Sequence, residues 1–514
     1  MKRKRKRKVI ANLSTALLLQ LVALVCGFIL PRMILVSYGS AYNGIVNSIN
    51  QFLSCVTLLR AGVGGVTRAA LYGPLNEKNT RRVTAIVKAT EMFMRKVAGI
   101  FSVFLLVFAV IYPFLVIEEF PWLFSFTLIL TLGFSTIIQY FFGITYSFLL
   151  QADQKLYIYN FLQIITYILN TLVTVVLIKY GFEIRVVKLA SSLVFCITPL
   201  VMYSYVHKTY VFPDDVEPDH SCISQRWDAF AHQVSAFVHN NTDLMVLTIF
   251  STLYQISVYS VYYLVINGIR KLIDTCSGAI EALFGNMIAN QEKDLLRARV
   301  RVYEWGLHMI SGVLFGSTLF LVVPFVSVYT RTVVDTNYAN PVFGCLICMA
   351  EFMACVRLPY QNLTDAAGHF KQTRRDAIME AALNILISVA LVKVWGICGV
   401  ALGTLVAMTY RTVKYAAYAS REFIKDSLAV FIKRLLISLI SIAIFELVAF
   451  VNWYEEALEF SNDYFHWVLL AILVTTTIFC YLLTINTFFY PHMTKTLFES
   501  LINRVRRKKL YENI

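Results

Sequence analysis

Charged residues are scarce in this chain, and long polar stretches are almost missing. Only 15% of the 514 residues are Asp, Glu, Lys or Arg, whereas 58% are hydrophobic and the mean hydropathy is +0.65. The longest polar stretch runs from about 207 to 235. These values lie far outside those of soluble globular proteins. They exclude a soluble class and indicate a polytopic membrane protein.

Motifs of covalent chemistry are also lacking. The sequence has no HExxH metal motif, no GxSxG nucleophile elbow, no Walker lysine loop and no soluble domain that could hold a nucleotide. We therefore expect no catalytic residue, no cofactor, no metal site and no ATP-driven transport. Ten cysteines are present, but Cys345 and Cys348, which have the C-x-x-C spacing, have no second pair or nearby histidine to complete a zinc site.

Acidic residues are outnumbered, with 31 Asp and Glu against 46 Lys and Arg. The basic residues fall in short loops between apolar runs, which argues against nucleic acid as a partner. If the N-terminus is cytoplasmic, 35 of the 46 lie on the cytoplasmic side and five outside, and the others lie within spans. This bias predicts that both termini are cytoplasmic.

Apolar runs long enough to span a bilayer, about 20 residues each, occur fourteen times. The sequence thus predicts an all-α polytopic fold of about 14 transmembrane helices, with two pseudo-symmetric six-helix lobes and two further C-terminal helices. The predicted spans are 9–36, 42–72, 94–117, 122–150, 157–179, 185–206, 236–252, 259–289, 303–328, 340–366, 376–395, 397–418, 431–451 and 464–487. The predicted domains are an N-lobe (1–206), a cytoplasmic linker (207–235), a C-lobe (236–425) and two last helices with a basic tail (426–514).

An internal duplication underlies the two lobes. When Tyr42 is set on Tyr259, Ile49-Asn50 falls on Ile266-Asn267, and Glu77-Lys78 meets Glu292-Lys293 after a slip of two residues. Farther along, the following residues match at a constant offset of 214: Ala152, Asn170 and Lys179 with Ala366, Asn384 and Lys393. Because each unit has an even number of spans, the lobes should be related by an axis along the membrane normal. A cleft between them is expected.

Several charges lie inside the predicted spans, where each costs roughly 2.5–3.5 kcal/mol on insertion scales. Such charges either neutralise one another or line a wet cavity. Arg270 and Lys271 stand four and three residues before Asp274, a spacing that favours mutual neutralisation on one helix face. Arg32 and Arg60 have no acidic neighbour in their own spans, which favours an anionic ligand.

Guanidinium groups bind phosphate and pyrophosphate oxygens in bidentate fashion. The stretch from His239 to Asp243 adds groups suited to sugar hydroxyls or to a coupling ion, although Asn and Thr also join helices by hydrogen bonds. The candidate substrate-binding residues are Arg32, Arg60, Arg270, Lys271, Arg357 and Asn241. The candidate ion-coupling residues are Asp243 and Asp274.

Six local signatures occur in order along the chain. They are Gly39 to Ser48 with Gln51-Phe52, Ala61 to Leu75, Asn241-Thr242-Asp243, Ser257 to Tyr262, Ala367 to Phe370, and Gly399 to Thr404. In these, and in its fourteen-span plan, the chain resembles the polysaccharide transporter family, the O-antigen and capsule repeat-unit flippases of the multidrug/oligosaccharidyl-lipid/polysaccharide exporter superfamily.

The resemblance implies two lobes forming a V, alternating access, and a cavity lined by spans 1, 2, 7 and 8. It implies that undecaprenyl-pyrophosphate-linked oligosaccharide moves from the inner to the outer leaflet of the bacterial cytoplasmic (inner) membrane. Membrane lipid, polysaccharide polymerases and glycosyltransferases are the implied partners. With the cytoplasm negative, an anionic head moving outward gains roughly 2.3 kcal/mol per charge per 100 mV.

Alternatives remain open at this point. A cation-coupled multidrug or organic cation exporter of the same superfamily would present acidic and aromatic groups to its substrate. A peptidoglycan-precursor lipid flippase is a further alternative, because the sequence does not say which glycan is carried. A non-transporting scaffold would recruit cytoplasmic enzymes through the basic tail that begins at Arg504.

Overall fold

The computed structural model describes residues 2–219, 221, 237 and 241–495, and all regular secondary structure in these residues is helical. Within them, ten helices are long and apolar enough to cross a membrane. The predicted all-α polytopic fold is confirmed, and the chain is a multi-pass membrane protein. The helices are α1 (Lys2–Tyr38), α2 (Ser40–Leu53), α3 (Val56–Asn76), α4 (Thr80–Ile111), α5 (Trp122–Phe142), α6 (Ile144–Ala152), α7 (Leu156–Lys179), α8 (Ile184–Thr209), α9 (Asn241–Phe250), α10 (Leu253–Ala289), α11 (Lys293–Tyr329), α12 (Pro341–Ala366), α13 (Phe370–Ala419), α14 (Leu428–Phe460) and α15 (Tyr464–Phe489).

Two predicted spans are each built from two helices, so their expected continuity was wrong. The span at 42–72 breaks between α2 and α3, where the Ser54 hydroxyl donates to the Gln51 carbonyl (2.6 Å) and the Thr57 hydroxyl donates to the Ser54 carbonyl (2.7 Å). Such local side-chain bonds compete with the backbone bonds of a helix. The span at 122–150 breaks at Gly143, where an added Cβ would lie 2.8 Å from the Cβ of Pro199.

The spans predicted at 376–395 and 397–418 form the two halves of α13, which are separated by a kink at Gly396. The backbone there has φ +52° and ψ −130°, a conformation that glycine tolerates because it has no Cβ. The halves pack closely, since a Cβ added at Gly399 would lie 2.6 Å from the carbonyl oxygen of Leu391. The Asn384 amide donates to the Thr404 hydroxyl (3.1 Å) between them.

The backbone repeats itself along the chain, in agreement with the predicted duplication. Three pairs of positive-φ residues lie 213, 214 and 215 residues apart, and they are Lys78 and Gln291, Gln154 and Gly368, and Gly181 and Gly396. After the second pair, Lys155 N–H donates to the Leu150 carbonyl (2.7 Å) and His369 N–H to the Thr364 carbonyl (3.1 Å). Both are the 6→1 bond that closes a helix C-terminus. The backbone therefore matches Lys78 with Gln291, two residues before the Lys293 that the sequence match suggested.

By the density of internal contacts the chain divides into two units. Unit 1 comprises residues 1–260 with 332–336, and unit 2 comprises residues 261–331 with 337–514. The division falls within α10, so α9 and the first turns of α10 belong to unit 1. It does not test the predicted lobes, whose limits stay a prediction.

Each unit has its own apolar core. In unit 1, Leu71, Ile86 and Met202 pack in one cluster. In unit 2, Phe320 of α11 and Ile478 of α15 belong to one cluster, which places the two last helices against α11. The outward side chains of α1 are also apolar, as a lipid-facing surface requires.

Candidate functional site

A ladder of neutral polar side chains runs along α2, and unit 1 buries it. The Asn43 amide donates to the Ser257 hydroxyl (2.8 Å), and Ser48 and Thr248 share a hydrogen bond of 2.8 Å. The Tyr112 hydroxyl donates to Ser48 as well (2.8 Å). Asn43 and Ser48 thus both hydrogen-bond to the segment that contains α9 and α10.

Asn241 and Asp243 belong to the same network. The Asn241 side-chain oxygen accepts hydrogen bonds from the amide of Gln51 and from the hydroxyl of Ser54 (3.0 Å). Asp243 is buried and accepts a hydrogen bond from the Tyr259 hydroxyl (2.9 Å). Asn241 thus joins helices by hydrogen bonds, which is the role that the sequence left open as the alternative to sugar binding. Its predicted contact with substrate stays a prediction, as does ion coupling by Asp243.

Arg32 and Arg60 are the two arginines predicted to face an anion. Arg32 lies in α1 directly after Pro31 and is half-buried. Arg60 lies in the first turns of α3, and its side chain falls outside the described part of the structure. These positions do not test whether either arginine binds an anion.

In unit 2, Arg270 of α10 is paired with two carboxylates. Its guanidinium lies 2.5 Å from Glu351 of α12 and 3.5 Å from Asp274, one turn farther along α10. The Asp274 pair is the one that the i,i+4 spacing predicts. Glu351 is only 3% exposed, whereas the Asp274 side chain is 43% exposed and the Lys271 side chain is exposed too. The cluster therefore has a buried end and an accessible end.

Arg357 lies deeper, in a second cluster of unit 2. Its guanidinium donates to Glu380 of α13 (3.0 Å), and Arg411 approaches the other Glu380 oxygen at 3.8 Å. All three side chains are at least nine-tenths buried, and Nε of Arg357 has no hydrogen-bond partner among the described residues. Asp365 is close enough to interact electrostatically with both arginines. Arg357 is thus enclosed by protein rather than open to a ligand.

Reasoning from sequence missed the residues that partner these arginines from other helices. Glu351, Glu380 and Arg411 gave no signal as partners, because a hydropathy pattern does not say which helices meet. Among the described residues, no group of three or more His, Cys, Asp and Glu could hold a metal ion.

No protein-family model matches the chain, and no curated protein matches it significantly. Solved structures do share its fold. The chain is similar to the lipid II flippase MurJ in an inward closed conformation, at 15% identity, over 94% of this chain and 99% of that one, with a TM-score of 0.67. It is similar to an inward-facing multidrug resistance MATE family transporter of the MOP superfamily at 12% identity, over 80% and 98%, with a TM-score of 0.63. A mutant of the Vibrio cholerae MATE transporter VcmN matches at 14% identity, over 82% and 98%, with a TM-score of 0.55.

The helical fold defines the class of protein. The chain is an all-α, multi-pass membrane protein that shares the fold of the MurJ and MATE structures. At these identities the likeness establishes the fold, and the substrate has to be argued from this chain.

Proposed function

We propose that this protein is a flippase that moves undecaprenyl-pyrophosphate-linked oligosaccharide from the inner to the outer leaflet of the bacterial cytoplasmic membrane by alternating access. The observation that carries this proposal is that the chain shares the fold of a lipid flippase over 94% of its own length and 99% of the length of that flippase. It acts as a transporter in this proposal, and no catalytic residue is needed.

The extent of the structural match adds support for a lipid substrate. The MATE structure covers 80% of the chain and MurJ covers 94%, a difference of about 70 residues. In its overall extent the chain is therefore more similar to the lipid flippase than to the drug transporter.

Among the arginines that the structure describes, Arg270 is the best placed to bind a pyrophosphate. Its pair with Glu351 is buried and short, and its pair with Asp274 is longer and partly exposed. A pyrophosphate oxygen could replace Asp274 while Glu351 keeps the guanidinium oriented, and a bidentate contact would strengthen the exchange. Lys271, exposed on the next position of α10, would add a second positive charge.

The other candidates contribute differently. Arg357 would need its buried cluster to open before it could bind substrate, since Glu380 and Arg411 enclose it. Arg32 and Arg60 lie near the outer end of one predicted span and in the inner half of the next, and could pass an anionic head along the path. Asn241 would offer its side-chain oxygen to sugar hydroxyls once Gln51 and Ser54 release it.

The test is transport by the purified protein in proteoliposomes, with a fluorescent pyrophosphate-linked polyprenyl oligosaccharide as substrate. Wild type should expose the substrate in the opposite leaflet, and Arg60→Ala should slow this at least about tenfold if a charge-assisted contact worth about 1.5–3 kcal/mol is lost. Arg299→Ala, which removes an exposed arginine of α11, is the matched control and should transport normally.

Arg270 requires a second variant, because its removal leaves Glu351 buried without its partner. Arg270→Met with Glu351→Met restores neutrality and should fold, yet it should not flip the substrate. Normal flipping by this folded double variant and by Arg60→Ala would contradict the proposed anion path.

Two other functions are each supported by an observation. Cation-coupled export of organic cations is favoured by the MATE fold and by Asp243, a carboxylate buried beside Tyr259. Peptidoglycan-precursor flipping is favoured by the likeness to MurJ. Offering all three substrate classes to the same proteoliposomes, with and without proton and sodium gradients, separates them.

A further inference from the structure

Unit 1 contains a cavity of about 820 Å³ that is lined by none of the predicted substrate-binding or ion-coupling residues. It lies where the end of α1 and the starts of α2, α5, α8 and α10 meet the segment 332–336. The positive-inside pattern places all of these connections on the outer side of the membrane. Four carboxylates line the cavity, and they are Glu118, Glu119, Glu183 and Asp335.

The floor of the cavity is aromatic. The Tyr42 ring meets those of Phe120 and Phe124 edge-on at 4.8 and 5.8 Å, and the two phenylalanine rings stack at 5.0 Å. A guanidinium of the protein itself already uses this surface, since Arg185 lies 5.4 Å from the centre of the Phe124 ring. Tyr254 adds a further ring to the lining. Ring faces attract cations through their quadrupole.

The carboxylates are unequally neutralised. Arg185 holds Glu183 with two hydrogen bonds of 2.5 and 2.9 Å. Glu118 and Glu119 have no ion-pair partner in the described part of the chain. Burial raises the pKa of Glu119, and so does the charge of Glu118, although a hydrogen bond to the Leu253 backbone lowers it. Two adjacent carboxylates beside an aromatic floor thus lack an ion-pair partner among the described residues.

We propose that this cavity binds an organic cation, namely an ammonium group with apolar substituents. The carboxylates would repel a phosphate or other anion. A bare metal ion fits poorly, because the described residues hold no group of three or more acidic, His or Cys ligands, and the space is far larger than an ion. The ammonium charge would compensate Glu118 and Glu119, while its alkyl groups contact Tyr42 and Tyr254. The proposal is independent of the proposed function, since binding can be measured without transport.

The experiment is isothermal titration of the full chain in lipid nanodiscs with choline and with its neutral isostere 3,3-dimethylbutan-1-ol. Choline should bind and the alcohol should not, and choline binding should weaken as salt screens the carboxylates. The double change Glu118→Gln with Glu119→Gln should lower choline affinity at least about tenfold, or about 1.4 kcal/mol. Glu459→Gln, an exposed carboxylate outside the cavity, is the matched control and should bind as wild type does.

A further variant separates an organic from an inorganic cation. Tyr254→Leu keeps an apolar side chain and removes the ring face, so it should weaken choline binding severalfold. Binding should also weaken as the pH falls, because Glu119, whose pKa is raised, becomes protonated at a higher pH than an ordinary glutamate. Equal affinity of choline and the alcohol, or full affinity in the folded glutamine variant, would overturn the proposal. Calcium binding that depends on Glu118 and Glu119 but not on Tyr254 would overturn it in favour of a metal ion.

Discussion

Asp335 accepts a hydrogen bond from the backbone N–H of Ser40 (2.6 Å) and another from the Ser40 hydroxyl (2.5 Å). Ser40 begins α2, where unpaired N–H groups attract negative charge. The two residues are 295 positions apart, and the short segment 332–336 clusters with unit 1 while the chain on both sides of it clusters with unit 2. Asp335 therefore fixes the start of the helix that carries the polar ladder.

The first prediction follows from this contact. Asp335→Ala removes both bonds, and it should lower the free energy of unfolding by about 1–2 kcal/mol, as loss of a helix cap does. The measurement is thermal unfolding in detergent. Val334→Ala, at a neighbouring residue that is 96% exposed, is the control and should change little. Equal shifts in the two variants would show that the cap contributes nothing.

The second prediction concerns the close approach of α2 and α10. A Cβ added at Gly44 would collide with the carbonyl oxygen of Leu253 and lie 2.7 Å from its carbonyl carbon. Because the obstacle is backbone, Gly44→Ala should destabilise the protein by about 1–3 kcal/mol, the usual cost of overpacking.

Gly65 provides a matched control for that substitution. No atom lies within 4 Å of a Cβ added there, although Gly65 is also in a helix. Gly65→Ala should be neutral or stabilising by up to about 1 kcal/mol, since alanine loses less conformational entropy on folding. If Gly44→Ala and Gly65→Ala unfold at the same temperature, the contact of Gly44 with Leu253 does not limit packing.

The third prediction is a pH dependence at Asp153, between α6 and α7. This carboxylate lies 2.7 Å from Lys155 and 3.4 Å from Lys8, and accepts a hydrogen bond from Tyr210 (2.5 Å). Burial raises its pKa, but the bonds from Lys155 and Tyr210 and the charges of Lys155 and Lys8 outweigh burial and hold the pKa below its usual value. The charged form therefore stabilises the fold.

The direction of this pH dependence follows from the linkage between protonation and folding. A carboxyl whose pKa is lower in the folded state stabilises fully above its unfolded pKa of about 3.9, and this stabilisation disappears as pH falls through the folded pKa. Asp153→Asn should cost about 1 kcal/mol at neutral pH, and the difference from wild type should vanish in acid. Asp294→Asn removes a 98% exposed partner of Arg297 and should cost less than about 0.5 kcal/mol. A difference between wild type and Asp153→Asn that grows in acid would contradict the assignment.

Local features of this molecule could be read from the sequence, and distant ones could not. Hydropathy showed the class, and the i,i+4 spacing predicted the pair of Arg270 with Asp274, because these signals come from residues one helical turn or one span apart. The stronger partner of Arg270, Glu351, is 81 residues away. A periodic pattern indicates which face of a helix is buried, but not which other helix it meets. For the same reason the contact between Asp335 and Ser40 left no trace in the sequence.

The fourth prediction gives the two last helices a structural role. Arg434 of α14 lies 2.6 Å from Glu304 of α11, and both side chains are at least nine-tenths buried. The Trp305 indole N–H also donates to Asn486 of α15 (2.9 Å). Arg434→Met would leave the Glu304 charge buried without its partner, so it should destabilise the protein by about 3–5 kcal/mol.

The double variant Glu304→Met with Arg434→Met tests whether the penalty comes from the orphaned charge. Replacing both members of a buried pair by apolar residues is often neutral or stabilising, so most of the thermal stability should return. Arg301→Ala, which breaks a partly exposed pair between α11 and Asp426, should cost about 1 kcal/mol or less. If the double variant melts as low as Arg434→Met, the arginine stabilises α14 by other contacts, such as its approach to the Tyr490 ring at 5.4 Å. If it instead recovers stability and still flips lipid, the penalty in Arg434→Met comes from the orphaned Glu304 charge, and the pair takes no part in transport.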